Sequence, residues 1–357
     1  MSQVHVNGKW LAQNLTGTQR YATEIVRAII DTGSVDLVVH VPSDALIPEW
    51  MPGPRVRIRR SPAKGVVFEQ LYLPAVTAGK LLLNFAGPAP LIKRRQLVTM
   101  HDAITFRHPQ SYSSAFVRLY LVMYTLLGRV ARQLVTVSHF SASELADVLS
   151  IPVDRFLVAG CSANALTGVT PERPAIDGLD QPFYLAVGTL AVHKNLPEPV
   201  RAVTDSGRTI VVVGASGDQQ VYTEASPLPA EAIIAGRLSD AELAWLYRNA
   251  RALIFPSKYE GFGLPPLEAQ TLNCAVITSN AASLPEVTGD GALYFEPDDM
   301  PGLLAQLDRL ETETDLADSL RRRGLNNARR YSWDASARRI LDSIGFGAPG
   351  PRQPSSL

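Results

Sequence analysis

Strand-length apolar runs alternate with helix-period segments through both halves of this 357-residue chain, and the alternation is interrupted once. After Val4–Val6 and a loop through Gly17, apolar residues Ala22, Ile25, Val26, Ile29 and Ile30 recur at helical spacing. Short apolar runs follow at Val35–Val41, Leu81–Phe85, Leu97–Met100 and Leu134–Val137, most of them bounded by Gly, Pro, Ser or Asp. That pattern predicts strands buried on both faces of a parallel sheet. From about Ser162 to Pro182 the chain is rich in Pro, Gly, Thr and Asp without sustained periodicity, which predicts a linker at 166–182. The alternation restarts with Phe183–Val187, Thr209–Val213, Ala232–Ala235, Ala252–Phe255, Ala275–Thr278 and Ala292–Phe295, with helical patterns at Asp240–Asn249 and Pro265–Leu272. The expected organisation is a first domain at 1–165, a second at 183–330, a closing helix at 331–345 and a disordered Gly/Pro/Ser-rich tail at 346–357. Repeated βα units of this kind predict an α/β protein of two doubly wound, Rossmann-like domains facing across a cleft, where ligands of such sheets bind.

Charge narrows the partners. Lys plus Arg and Asp plus Glu both total 34, so there is no general reason to expect nucleic acid. The balance hides an asymmetry: residues 1–170 carry 17 basic against 10 acidic residues, and residues 171–357 carry 17 against 24. Basic residues cluster at Arg55, Arg57, Arg59, Arg60 and Lys64, and again at Lys93, Arg94 and Arg95. These clusters are either solvated surface or contacts with an anionic membrane surface or a phosphate-bearing acceptor. Cys161 and Cys274 are far apart and lack metal-ligand spacing, which favours a reducing compartment and no disulfide framework. No signal peptide is visible at the start. The apolar stretch Phe116 to Phe140 is interrupted by Arg118, Arg129 and Arg132, and reads as a core-facing helix followed by a strand rather than a membrane span. A cytoplasmic protein is expected, with room for peripheral contact at the inner membrane face.

Chemistry concentrates in Glu260-Gly-Phe-Gly-Leu-Pro-Pro-Leu-Glu268. A buried strand is expected to end near Pro256, and Pro265-Pro266 to form the first turn of the next helix, where missing N–H groups cost least. Gly261 and Gly263 in the turn let backbone approach a ligand, and the amides of Gly261, Phe262, Gly263 and Leu264 suit a diphosphate. Glu260 precedes the turn and is placed to reach the sugar end of a nucleotide sugar. Glu268, in the first turn of the helix, is placed to accept ribose hydroxyls. A turn with dipole-facing carboxylates explains one Glu-Gly pair; it does not explain the whole nine-residue string.

That string resembles the Glu-x7-Glu motif of retaining GT-B glycosyltransferases, family 4 in particular. Further similar stretches are Thr16-Gly17-Thr-Gln-Arg-Tyr-Ala22, Thr99-Met-His101-Asp102, Val137-Ser138-His-Phe-Ser141, Val187-Gly-Thr-Leu-Ala-Val-His-Lys194-Asn195, Ser239-Asp-Ala-Glu-Leu243 and Ser279-Asn-Ala-Ala-Ser-Leu-Pro-Glu286-Val. The resemblance implies transfer of a sugar from a nucleotide diphosphate donor with retained configuration, and neither metal nor cofactor. It implies that Lys194 contacts the donor diphosphate, that His101 lies beside the transferred sugar, and that Gly17 lets its loop pass close to the donor phosphates or the acceptor. Where the family often has an arginine this chain has Thr189, and His193 or Arg237 is the candidate to compensate. No Asp-x-Asp occurs, against the metal-dependent alternative architecture, and no Gly-x-Ser-x-Gly elbow accompanies Ser138-His139.

The donor first expected is GDP-mannose, ahead of dTDP-rhamnose and UDP-sugars. The acceptor expected is a sugar or a polyprenyl-diphosphate-linked oligosaccharide of cell-surface polysaccharide synthesis. A nucleotide-sugar epimerase of the same fold, or a binding protein without turnover, are the competing readings.

Overall fold

The structure, a computed structural model, describes residues 3–14, 16–214 and 227–346. Most of the tail expected at 346–357 therefore lies outside the described residues. The chain divides into two compact units, one drawn from Met1–Ala103, Arg118–Cys161 and Ser332–Leu357, the other from Ile104–Val117 and Ser162–Tyr331.

The first unit is built on seven parallel strands: β1 Gln3–Asn7, β2 Asp36–Val41, β3 Val56–Arg60, β4 Leu82–Asn84, β5 Gln96–Thr99, β6 Gln133–Thr136 and β7 Phe156–Val158. Their order is β3-β2-β1-β4-β5-β6-β7, so the direction of winding reverses between β1 and β4. Helix α1 (Gly17–Thr32) connects β1 to β2. A helical segment at 65–76, made of α2 Gly65–Val67, a π turn Phe68–Tyr72 and α3 Leu73–Val76, connects β3 to β4. After β5 come α4 (Ile104–Arg107) and α5 (Ser114–Val130), and α6 (His139–Leu149) joins β6 to β7. Right-handed crossovers place connections running in opposite directions along a sheet on opposite faces. Segment 65–76 and α5 therefore share one face, while α1 lies on the other. The chain's last helix, Trp333–Ser343, returns to α1, with Tyr21 edge-on to Trp333 at 5.5 Å.

Two of these strands are absent from the apolar-run pattern, and both are edges. β3 reads Val56-Arg57-Ile58-Arg59-Arg60, with Arg57, Arg59 and Arg60 exposed. The first basic cluster is thus largely an edge strand whose charges oppose pairing with another chain. β7 is a three-residue edge strand in which only Phe156 is fully buried. The expectation that α5 faces the core is corrected: of its 17 residues only Tyr124, Leu127 and Gly128 are buried.

The second unit has six parallel strands, β8 Phe183–Val187, β9 Thr209–Val213, β10 Ile233–Gly236, β11 Ala252–Phe255, β12 Ala275–Ser279 and β13 Leu293–Phe295, in the order β10-β9-β8-β11-β12-β13. Helices α7 (Pro197–Asp205), α8 (Asp240–Asn249), α9 (Leu264–Thr271), α10 (Leu284–Thr288), α11 (Met300–Thr312) and α12 (Leu316–Ala328) complete it. Alternate strand residues enter two cores. Leu185, Val211, Leu253 and Val276 meet Tyr247, Ala269 and Leu272 in one of them. Tyr184, Ala186, Val212, Ile254 and Ile277 meet Val200, Val203 and Leu303 in the other. Leu166 and Leu179 are buried in the first of these cores. Because both faces are covered, the strands read as continuous apolar runs. Winding reverses between β8 and β11, which makes the loops after those two strands the flanks of a topological switch point.

Candidate functional site

Lys194 follows β8 and Glu260 follows β11, so the two residues occupy the two flanks of that switch point. Lys194 Nζ lies 2.7 Å from Glu260 Oε1. Ser257 Oγ donates to the same carboxylate oxygen at 2.6 Å. Lys194 belongs to a short 3₁₀ turn, Val192–Lys194, that ends on Asn195 in the left-handed region (φ 51°). The Asn195 side chain fixes that turn by donating to the carbonyls of Pro256 and Pro297 at 3.3 and 2.8 Å. Ser257 Oγ and the Lys258 N–H both lie within hydrogen-bond distance of the His193 carbonyl, at 3.0 and 2.8 Å. The lysine turn and the glutamate loop are thereby one cross-linked assembly.

The glycine turn is held from a third loop. Ser283 Oγ lies 2.9 Å from the Glu260 carbonyl and 2.8 Å from the Phe262 carbonyl. Gly263 has φ 102°, a conformation that favours glycine, and a Cβ there would stand 2.7 Å from Leu284 Cδ2, which would have to shift. Phe262 is buried and edge-on to Tyr331 at 5.5 Å, so its ring anchors the turn. Helix α9 begins at Leu264, ahead of both prolines, which corrects the expected place of Glu268: it stands in the second turn. Pro265 and Pro266 have no N–H to offer, so an amide cradle must come from the turn 261–264 and not from the helix interior. Glu268 is only 6% exposed and accepts a hydrogen bond from Tyr247 Oη at 3.1 Å.

Thr189 stands two residues past the end of β8 and is half-buried. Arg237 is exposed just past β10, two strands from β8. Two strand spacings amount to about 10 Å, and no contact joins Arg237 to Lys194. Burial first, then the neighbouring Lys194, bring the pKa of His193 down to about 4.

In the first unit His101 lies just past β5, half-buried. Its Nε2 is 2.9 Å from the carbonyl of Phe85, which accepts only, so Nε2 carries the proton and Nδ1 presents a lone pair. Burial lowers its pKa to about 4 despite the opposing pull of that carbonyl. The edge of Tyr21 meets the His101 ring at 5.0 Å. Gly17 is the first residue of α1 and a Cβ there would meet nothing within 4 Å, so packing does not demand glycine.

Ser257, Ser283 and Tyr247 were not anticipated from sequence; Ser283 and Tyr247 each act on a partner in another loop or helix, and Ser257 acts within the glutamate loop itself. His108 was not anticipated either. It comes from the stretch 104–117 that belongs to the second unit, and stands edge-on to Tyr259 at 5.3 Å and 6.4 Å from His193. Among the described residues no cluster of three or more His, Cys, Asp or Glu is arranged to hold a metal ion. None of their helices is long and apolar enough to cross a membrane.

Lys194 and Glu260 thus stand at the switch point of a doubly wound sheet, the place where ligands of such sheets bind. Residues 172–329 match the family described as Glycosyl transferases group 1. The chain is 30% identical over 267 residues to the O-antigen chain mannosyltransferase B of Escherichia coli, covering 70% of each protein. It is 29% identical over 262 residues to the O-antigen chain mannosyltransferase RfbU of Salmonella typhimurium, covering 71% of this chain and 70% of that one. In fold it is similar to the sucrose-phosphate synthase of Thermosynechococcus elongatus, with a TM-score of 0.72, 19% identity and coverage of 96% and 98% of the two chains. The chain belongs to the group 1 glycosyl transferases, family 4, a family of retaining hexosyltransferases with the GT-B fold.

Proposed function

We propose that the protein transfers mannose from GDP-mannose to a lipid-linked or oligosaccharide acceptor during cell-surface polysaccharide synthesis, on the cytoplasmic side of the membrane. The observation that carries the reading is the juxtaposition of Lys194 and Glu260 beside a turn whose Gly263 has a conformation that favours glycine. The names of the two O-antigen mannosyltransferases support the choice of sugar and product.

In this reading the second unit binds the donor. The amides of residues 261–264 and Lys194 hold the diphosphate, Glu260 positions the sugar ring and Glu268 holds the ribose, with Thr189 and Arg237 at the rim. His101 and Gly17 belong to the sugar and acceptor side in the first unit, and 166–182 links the two domains. The bond between the anomeric carbon and the diphosphate oxygen breaks, and its electron pair stays on that oxygen, where the ammonium of Lys194 offsets the growing charge. The acceptor hydroxyl attacks from the same face, and its proton passes to the departing phosphate. A neutral His101 with Nδ1 open accepts a hydrogen bond from a sugar hydroxyl and adds no competing positive charge.

The test is a thermal-shift screen with GDP-, UDP- and dTDP-sugars, followed by transfer assays in which the anomeric configuration of the product is determined. GDP-mannose should raise the midpoint most and yield an α-linked product. Turnover of a UDP-sugar alone would reject the donor, and an altered sugar nucleotide formed without any acceptor would make the protein an epimerase.

A further inference from the structure

We propose that Lys9 and Glu69 form a subsite for two neighbouring hydroxyls of a neutral sugar, where β1 and β4 of the first unit end. The subsite rests on the reading that the protein extends a glycan, and it names the groups that grip the accepting sugar.

Topology sets the place. Winding in the first sheet reverses between β1 and β4, so the loops leaving these strands flank its switch point. Gly8 carries the chain off β1. Its N–H donates to the His40 carbonyl at 2.7 Å, and a Cβ there would stand 2.6 Å from the same oxygen. The chain therefore turns tight against β2 before Lys9, whose own N–H donates to Asn7 Oδ1 at 3.1 Å. Asn7 Nδ2 in turn donates to Asn84 Oδ1 at 3.1 Å, which joins the last residues of β1 and β4. The next residue, Phe85, is the one whose carbonyl holds His101 Nε2. Lys9 and His101 are thus anchored to consecutive residues at one strand end.

Glu69 comes from the π turn Phe68–Tyr72 of segment 65–76. Such turns are rare, and functional sites use them often. Gln70 pins the turn to the loop after β4, donating to the Ala89 carbonyl at 3.2 Å and accepting from the Leu91 N–H at 3.0 Å. Glu69 is buried, and its Oε2 accepts from the Lys9 ammonium at 2.7 Å. The other oxygen, Oε1, is buried and makes no hydrogen bond. Burial pushes this carboxyl up from its ordinary value, against the pull of Lys9 and then of Asn7. A brace between two loops needs Oε2 alone. An orphaned carboxylate oxygen costs free energy that a brace does not recover, and a ligand hydroxyl donating to Oε1 does.

The chemistry of the pair selects the ligand. Lys9 is half-buried, and its ammonium keeps two hydrogens beyond the one given to Glu69. Donors and an acceptor therefore stand side by side with no net charge. An anion would meet Glu69, and a cation would meet Lys9. A hydroxyl both donates and accepts, so adjacent hydroxyls of a sugar ring satisfy both ends together.

The test is ligand-observed NMR titration of the full chain, without donor, with the methyl α-glycosides of mannose, glucose and galactose. Monodeoxy analogues of the one that binds best follow. In the wild type, removing one hydroxyl of the gripped pair should weaken binding about tenfold. Glu69→Gln should bind the parent glycoside about tenfold more weakly, and the same deoxy analogue should then lose nothing further. Lys9→Met should behave likewise toward the neighbouring hydroxyl. Nucleotide-sugar affinity should keep its wild-type value in both variants. No binding of any of the three glycosides by the wild type would overturn the proposal. So would deoxy analogues that lose equally in wild type and variants, the result a mere brace gives. If a variant's thermal midpoint falls, the wild type decides alone, and finding no hydroxyl whose removal costs affinity is the overturning result. Failure of nucleotide sugars to bind would instead reject the donor reading and leave the glycoside titration standing.

Discussion

Lys194 Nζ and Glu260 Oε1 stand 2.7 Å apart across 66 residues of sequence, joined by the reversal of winding between β8 and β11. Neither side chain is more than 21% exposed. Each charge is therefore partly withdrawn from water and compensated by the other. On the proposed function, a donor diphosphate would meet a cation already positioned.

Lys194→Ala should lower kcat on the order of 10²–10³-fold, the size of effect seen when a charge-stabilising donor is removed from an active site. Lys194→Arg should recover part of it. Steady-state kinetics with saturating acceptor measure both, and a wild-type kcat in the Ala variant would remove Lys194 from the mechanism.

Glu268→Gln should act on binding. Losing a charge-assisted hydrogen bond is worth roughly 1.5–3 kcal/mol, which is about 10- to 100-fold in Kd for the nucleotide. Tyr247→Phe, which takes away the hydroxyl that orients the carboxylate, should have a smaller effect in the same direction. Calorimetric titration with the nucleoside diphosphate decides it, and unchanged affinity in Glu268→Gln excludes the ribose contact.

Gly263→Ala should disable the turn while the rest of the second unit folds. The added Cβ collides with Leu284 Cδ2 and also has to adopt φ 102°, a conformation costing on the order of 1–3 kcal/mol for residues other than glycine. Adding Leu284→Ala relieves the collision but not the strain, so nucleotide affinity should return only in part. Full recovery in the double variant would show that space alone requires the glycine.

Acid should loosen the first unit before carboxylate chemistry is reached. His5 Nδ1 and His40 Nε2 are 2.8 Å apart in the buried sheet, an arrangement in which one ring nitrogen donates and the other accepts. Burial, reinforced by neighbouring cationic side chains, lowers both from 6.5 to about 4. The unfolded chain takes up these protons first, so the stabilisation is complete above pH 6.5 and drains away as pH falls towards about 4. The urea midpoint should drop across that window and drop less in His40→Gln. A midpoint that is flat over the window would contradict the neutral pair.

The nine residues from Glu260 to Glu268 are legible as a glycine turn opening a helix in the amino-acid sequence, and so are the central strands of both sheets. Their signals are local: a glycine pair, two prolines at a helix start, and apolar runs of strand length. Edge strand β3 escapes because its solvated side is arginine, and the apolar run is lost. The second turn of α9 as the place of Glu268 escapes because helix starts shift by a residue when proline follows.

Sequence alone determined the α/β class and the family to which the chain belongs, since periodicity and glycine conformation are properties of a few consecutive residues. Tertiary structure decided the rest. It brought Lys194 to Glu260, set Ser283 over the turn, and lowered the pKa of His101 and His193. It also turned half of an apolar helix outward. Burial and electrostatics sum over neighbours that lie tens of residues apart in the chain, and only the folded topology chooses those neighbours.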